Sequence, residues 1–371
     1  MSAVFASSYG FTHKRLINHD IMNCTAEGVA GNHLYSGRAL GISEPTDIIQ
    51  LHPDLEPIWP SIHTHYQNIG LTHASEILWD VSRKSLGEHL GYTPSVFYFG
   101  PEECIHWGDT EWLEAVEYIN SKNNFVALAE KLGVGIPETL CFDSVDDIQP
   151  EYLPDSIFPC YLKAAISVSG VGIYRCENRQ EFAEARAKFD KDVPVQIQDE
   201  VISETFLNLQ YRIEDGVMTR LAASEQVLDG FVHQGNKVPA CCEPWEVVEP
   251  MAIWLQQRGM KGIFAFDVAV VMGNQGLSFK AIECNPRFNG ASYPTLIAEK
   301  LDIIQWRSIT ISTTHTDLSN IYLSDIEYSE EKGSGIIIFN WGTLLVGKLA
   351  ILLAGTPEQQ AILEKELQQR L

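Results

Sequence analysis

The spacing of apolar residues changes several times along this chain, and each spacing predicts an element. Phe125, Leu128, Ala129 and Leu132 recur at helical intervals, which predicts a helix over 123–132 that Gly133 ends. Gly135-Ile136-Pro137 then turns the chain. Runs at 158–164, 173–176 and 193–198 read as strands. A loop of small residues over 166–172 separates the first two, and a helix over 179–189 separates the last two. Two further runs, 207–213 and 217–223, flank Glu214-Asp215-Gly216 and read as an antiparallel hairpin. A helix is expected over 244–258, stopped by Gly259, and the tail from Pro357 reads as an amphipathic helix. Between them, the apolar run 262–272 and its return over 277–284 enclose the tight turn at 273–276. Before residue 121 the signal is weaker: short strand-like runs at 47–51, 77–81 and 95–99 suit a small α/β domain. Trp59, Trp79, Trp107 and Trp112 read as core aromatics more readily than as pocket walls.

Composition narrows the class of protein. The 371 residues are 45% hydrophobic and 20% charged, which is globular material, and the length suits more than one domain. Acids outnumber Lys and Arg by 49 to 26, a net charge of −23, and no basic run offsets it. Binding to nucleic acid or to an anionic membrane is therefore not expected. The most apolar stretch, 335–355, is broken by Asn340, Gly342, Gly347 and Lys348 and reads as two core segments instead of a membrane span. The first eleven residues lack the basic-then-apolar pattern of an export signal. None of the eight cysteines forms CxxC, so reduced thiols and a cytoplasmic location are expected.

The candidate chemistry begins with an interruption. Asp267 stands alone in Ile263-Phe-Ala-Phe-Asp-Val-Ala-Val-Val271, and a carboxylate in such a strand needs a cation or a proton. Glu283 and Asn285 lie two apart in the returning run, so they face one side, and the turn brings that run beside Asp267. Three hard oxygen ligands then converge in a way that suits Mg²⁺ on nucleotide phosphates. Arg287 continues the alternation and can meet charge on a transferring phosphoryl group. The plainer alternative is a buried acid salt-bridged to Arg287. Lys163 lies in an otherwise uncharged run and needs an anion, and the loop after it carries small residues able to close over phosphates, although it is not a P-loop. Taken alone, Lys122 reads as a solvated lysine at a helix start, and 195–202 as an acidic turn. That segment could also bond an adenine edge, through Gln198 or Asp199, with Glu204 at a ribose hydroxyl.

Order and spacing of these pieces resemble the ATP-grasp superfamily over 121–301. The pieces are Ser121-Lys122-Asn123 with Gly135-Ile136-Pro137, Tyr161-Leu-Lys163 with Ser169-Gly-Val-Gly172, Gln198-Asp-Glu-Val-Ile202, Ala265-Phe-Asp267 and Ile282-Glu-Cys-Asn-Pro-Arg287. The last matches the E-x-N-x-R of that superfamily. The resemblance implies an α/β and α+β chain: a small Rossmann-like α/β domain over 1–120, then an ATP-grasp fold in two α+β subdomains, 121–199 and 200–371, clasping ATP. It implies that Lys122 and Lys163 hold phosphates under a cover of Ser169, Gly170 and Gly172. It places adenine against Asp199, Glu200 and Ile202, largely through backbone, with Glu204 at the ribose. Asp267, Glu283 and Asn285 would bind Mg²⁺, with Mn²⁺ as a substitute, while Arg287 and Lys163 act in catalysis.

The runs at 224–235 and 342–348 look similar to peptide and amino-acid ligase members. The activity this implies is an ATP-dependent carboxylate–amine ligase that forms an amide through an acyl phosphate and releases ADP and phosphate. Its partners would be a small carboxylate and a small amine, and a homodimer is common in the family. Gln226, His233, Asn289 and Tyr293 are the candidate substrate contacts. The alternatives are a kinase-type ATP-grasp enzyme, a nucleotide-binding pseudoenzyme, and an α/β protein that binds no nucleotide.

Overall fold

The computed structural model describes residues 13–25, 29–89, 91–167, 172–229, 232–273 and 276–371. Its first sheet is parallel, with strands β1 (Arg15–Asn18), β2 (Ile48–Gln50), β3 (Glu76–Leu78) and β4 (Thr93–Val96) in the order β3-β2-β1-β4. Parallel neighbours need a crossover, and helix α1 (Trp59–Asn68) supplies the one between β2 and β3. The runs expected at 47–51, 77–81 and 95–99 correspond to β2, β3 and β4. β1 carries a charge at its start and a polar residue at its end, Arg15-Leu-Ile-Asn18, which hid it from an apolar-run reading.

Helices α2 (Pro101–Trp107), α3 (Thr110–Asn120) and α4 (Lys122–Leu132) follow. Ser121 caps α4 by accepting from the Asn124 N–H, and Gly133 ends it at φ 69°. A second sheet is wholly antiparallel, order β5-β8-β6-β7: β5 (Thr139–Phe142), β6 (Cys160–Ala164), β7 (Ile173–Cys176) and β8 (Val195–Asp199), with helix α5 (Arg179–Arg186) packed on it.

The third sheet has eight antiparallel strands in the order β13-β12-β9-β10-β11-β14-β16-β15. They are β9 (Thr205–Glu214), β10 (Val217–Asp229), β11 (Val232–Val238), β12 (Gly262–Gly273), β13 (Gly276–Asn285), β14 (Trp306–Ser312), β15 (Gly335–Asn340) and β16 (Lys348–Ala354). Helices α6 (Trp245–Gln257), α7 (Ser292–Lys300) and α8 (Pro357–Gln368) complete it. The β9–β10 hairpin turns on Asp215 and Gly216, both at positive φ, which matches the twist of the strands. The apolar stretch 335–355 is indeed two core strands, β15 and β16. Among the described residues no helix is long and apolar enough to cross a membrane.

One face of the first sheet packs Leu16 and Ile48 against Leu86, but the other face has no core to itself. Ile17 and Ile49 share one apolar cluster with Ile337, Ile351 and Leu352 from the far end of the large sheet. Trp341, fully buried, donates from Nε1 to the Gly37 carbonyl at 2.7 Å. His65 is bonded on both ring nitrogens: Ile338 N–H donates to Nε2 at 3.0 Å, so the neutral ring must carry its proton on Nδ1 and donate to Glu327 at 2.7 Å. Of the four tryptophans read as core, Trp112 is buried and stacks on Phe99 at 3.9 Å, while Trp59, Trp79 and Trp107 are partly buried at the margins of the core clusters.

Trp341→Ala removes a large buried ring and the hydrogen bond from its Nε1 to the Gly37 carbonyl. It is expected to cost about 3–5 kcal/mol, read as a lower midpoint in urea unfolding.

Candidate active site

Strands β12 and β13 pair so that Asp267 lies directly opposite Glu283 and Ala265 opposite Asn285. Residues directly opposed in an antiparallel pair share a face, and so do residues two apart, so Asp267, Glu283 and Asn285 all point to one side; the ladder slips by one residue only just beyond Asp267. Asp267 is ringed by amide donors. Asn208 and Gln226 donate to Oδ1, each at 2.7 Å, and Asn285 donates to Oδ2 at 3.1 Å. Asn208 comes from β9, where it faces Asp267 across the ladder, and Gln226 comes from β10.

The two carboxylates behave oppositely. Desolvation among apolar strands pushes Asp267 up to about 7; the Glu283 charge adds to this, and the amides and Arg287 oppose it. Desolvation also works against Glu283, but Lys122, Lys163 and Arg287 outweigh it and hold that carboxyl down at about 2. Lys122 Nζ lies 3.0 Å from Glu283 Oε2, with 11% of the lysine side chain exposed. Lys122 is therefore not the solvated lysine that its local sequence suggests. The alternative pairing of the acids with Arg287 is not formed either: Glu283 takes Lys122, and Asp267 takes three amides.

Lys163 is carried on β6 of the small sheet. Its Nζ donates to Gln198 Oε1 on the adjacent β8 at 2.6 Å, and burial brings its pKa down to about 8 against the pull of Glu283. The Lys122 N–H donates to the Ala165 carbonyl at 2.7 Å, which ties the start of α4 to the end of β6. Gly172 sits at φ 76° beside Ala164, a conformation that favours glycine. Ser169 and Gly170 lie outside the described residues.

Around the β8–β9 link, Glu200 is engaged by Arg175 at 2.6 and 3.0 Å and by the Tyr161 hydroxyl at 3.2 Å, so only its backbone is free to meet a ligand. Asp199 donates its N–H to the Glu138 carbonyl. Ile202 is 86% exposed and Glu204 is exposed as well.

The four expected substrate contacts separate. Gln226 sits on Asp267. His233 has Nε2 at 2.7 Å from Asn236 Oδ1, and its ring lies against Gly290. Asn289 caps the turn into α7, its Oδ1 accepting from the Ala291 N–H at 2.8 Å, while its Nδ2 is buried without a partner. Tyr293 is wholly buried, with its hydroxyl 2.9 Å from His19 Nδ1.

No family model matches the chain, and no curated protein matches it. Solved structures do. N5-carboxyaminoimidazole synthetase from Staphylococcus aureus matches with a TM-score of 0.60 and 11% identity, over 96% of this chain and 98% of that one. Carboxyaminoimidazole ribonucleotide synthase from Aspergillus clavatus, complexed with ATP, matches with a TM-score of 0.52 and 13% identity, over 96% and 98%. A biotin carboxylase from Campylobacter jejuni, in a β-γ-ATP complex, matches with a TM-score of 0.51 and 14% identity, over 70% and 68%. This chain has the ATP-grasp fold. Glu283 on β13 is met by Lys122 from the start of α4 and acted on by Lys163 from the small antiparallel sheet, so both sheets contribute to one cluster of charge.

Sequence reasoning missed Asn208 and the role of Gln226. Each is an amide in an alternating strand, which reads as a solvent-facing position; only the non-local register turns it toward Asp267. The signal that could have found them is the recurrence of amides at alternate positions, Asn208 and Gln210, and again at Gln226 in the returning strand.

Asp267 binds its proton more tightly in the folded chain than in the unfolded one. Its effect on stability is therefore unfavourable, and it grows as pH rises from about 4 to about 7. Without added Mg²⁺, Asp267→Asn is expected to unfold at a higher temperature than the parent at pH 8, with the gap closing toward pH 4. Melting curves across that range check it.

Proposed function

We propose that this chain is a magnesium-dependent, ATP-consuming ligase that activates a carboxylate and joins it to an amine. The observation that carries the proposal is the in-register pair Asp267 and Glu283, flanked by Asn285, with Lys122, Lys163 and Arg287 acting on the same glutamate. The donor set fits a hard divalent cation. Two carboxylates face each other, one of them driven toward protonation by burial and then by its neighbour's charge, and the Asn208 Oδ1 beside them is buried without a partner. The A. clavatus neighbour was solved with ATP, which supports a nucleotide between the two sheets here. We further propose the division into 1–120, 121–199 and 200–371 and a cytoplasmic setting, the latter supported by eight cysteines that are all free thiols.

Asp267, Glu283 and Asn285 would hold Mg²⁺. Lys122 and Lys163 would face the phosphates, and the backbone of 199–202 would meet the adenine, with the exposed Ile202 providing an apolar surface for the ring. Bound nucleotide would supply the phosphoryl group: a carboxylate oxygen of the substrate bonds its phosphorus as ADP leaves, and the amine then attacks the acyl carbon and expels phosphate. The residues of the chain serve that chemistry by position and charge. Arg287, on the segment leaving β13, compensates negative charge at the transferred group. Lys163, brought down to about 8 by burial, holds its charge at neutral pH and is carried on the small sheet. Closing the small sheet on the large one keeps water from the activated acid.

Glu283→Ala is expected to fold and to lose ADP release by about 10²–10³-fold. In the parent, Mg²⁺ with a non-hydrolysable ATP analogue at 100 times its Kd should add about 2.7 kcal/mol of stability, seen as a raised melting temperature. The same rise in Glu283→Ala, or full turnover in that variant, would refute the metal role.

A further inference from the structure

A buried cation close to this site has no part in the chemistry above. Arg38 lies on the 3-10 helical segment Asn32–Ile42 and is only 7% exposed. Aromatic faces cage its guanidinium: the ring centroids of Tyr293, Phe97 and Tyr35 lie 4.4, 4.6 and 4.9 Å from its central carbon. Its Nε and Nη2 are both buried and meet no acceptor among the described residues.

Those two nitrogens form one edge of the guanidinium plane, and elsewhere in this chain that edge holds a carboxylate. Arg175 donates from Nε and Nη2 to the two oxygens of Glu200 at 2.6 and 3.0 Å, and Arg15 donates from the same atoms to Asp47. Among the described residues Arg38 presents this edge without a partner. Aromatic faces attract a cation but do not satisfy an in-plane pair of N–H groups, so the arrangement costs stability until an anion arrives.

Its place in the fold ties it to the reacting centre. His19 follows β1 and Phe97 follows β4, at the carboxyl edge of the parallel sheet, where open α/β sheets take ligands. The Phe288 N–H donates to the Phe97 carbonyl at 3.1 Å, so one hydrogen bond joins the cage to the residue after Arg287. His19 packs on Phe288 at 4.3 Å. Burial, with the charges of Arg38 and Arg15, holds His19 well below its usual pKa, so it stays neutral. Burial pushes the Cys24 thiol up to about 11, against the opposing charges of Arg287 and Arg38.

We propose that Arg38 binds a spectator carboxylate, an anionic group that stays unreacted on one of the two substrates. The Nε–Nη2 edge grips it while the reacting group lies at Arg287 and the paired acids. The inference rests on the ligase reading and narrows its substrates to an amino acid as the amine or a dicarboxylic acid as the acid. A reacting carboxylate fits this edge poorly, because two charge-assisted hydrogen bonds would tie up the lone pairs that it needs as a nucleophile. Tyr35 and Phe97, both partly exposed, form the outer wall of the cage and are the rings that must part on entry.

The full chain, saturated with Mg²⁺ and a non-hydrolysable ATP analogue, is titrated in a thermal-shift assay with three pools. These are the free proteinogenic amino acids, the matching amino-acid amides, and aliphatic dicarboxylic acids. A further rise with free amino acids and none with amides puts the spectator group on the amine; a rise with dicarboxylic acids puts it on the acid. In either case Arg38→Gln and Arg38→Lys are expected to weaken the response by about tenfold or more, since neither presents a two-nitrogen edge, while keeping the shift caused by the analogue. Arg38→Met is expected to melt above the parent in the absence of ligand, because it removes an unpaired buried charge. The proposal is overturned if neither carboxylate pool stabilises the parent, if amides act as well as free acids, if Arg38→Gln responds like the parent, or if Arg38→Met melts below it. A parent that fails to respond to the analogue itself would instead overturn the ligase reading.

Discussion

Two carboxylates placed opposite each other in an apolar strand pair set the terms for the rest of this molecule. Like charges at that separation cannot both ionise without help, and the surroundings divide them: three amides hold Asp267 while Glu283 takes the cations. The help comes from four different strands and one helix start. Asn208 needs β9 beside β12, Gln226 needs β10 beside β9, and Lys122 needs α4 packed under β13. The order of the first strands of the large sheet, β13-β12-β9-β10, is thus also the order in which the acid pair acquires its partners.

This explains which parts were legible in the sequence. Elements with a local signature were readable: the capped α4, the β9–β10 hairpin on Asp215-Gly216, and the β12–β13 return. Asp267 stood out because it broke an apolar run, and Glu283 and Asn285 because their spacing put them on one face. Hidden were features set by distant pairing. Lys122 looks like a surface lysine until α4 meets β13, 161 positions along. Asn208 and Gln226 look like outward-facing polar residues until the register turns them inward. β1 and β14 carry too few apolar residues in a row to announce themselves, and β14 is placed by β11 and β16.

The N-terminal third was least legible for a related reason. Its apolar residues complete a core whose other half is β15 and β16, some 300 positions later, so its pattern makes little sense alone. His65 shows how specific that joint is. A buried ring bonded on one side to Glu327 and on the other to the Ile338 backbone accepts only one neutral tautomer. A segment anchored in this way cannot drift relative to the large sheet, which is why side chains after β1 and β4 can stand in fixed relation to Arg287.

The small sheet is held differently. Its contacts with the rest include the Lys122 N–H to the Ala165 carbonyl, past the end of β6, and the Ala281 N–H to the Gly135 carbonyl and Lys280 to the Ile136 carbonyl, before the start of β5. The register puts those two places at opposite ends of the small sheet, so a few hydrogen bonds tie it at both ends instead of a shared apolar core. Lys163 is carried on this small sheet, while Asp267 and Glu283 lie on the large one and Arg287 just follows it. With Lys122, three cations then act on Glu283 against only two carboxylates, so the cleft has a positive field even though the chain as a whole is strongly acidic. A polyanion carrying one hard cation answers both halves of that imbalance: its negative charge meets the lysines and Arg287, and its cation relieves the conflict between Asp267 and Glu283. A simple anion would satisfy the first and worsen the second.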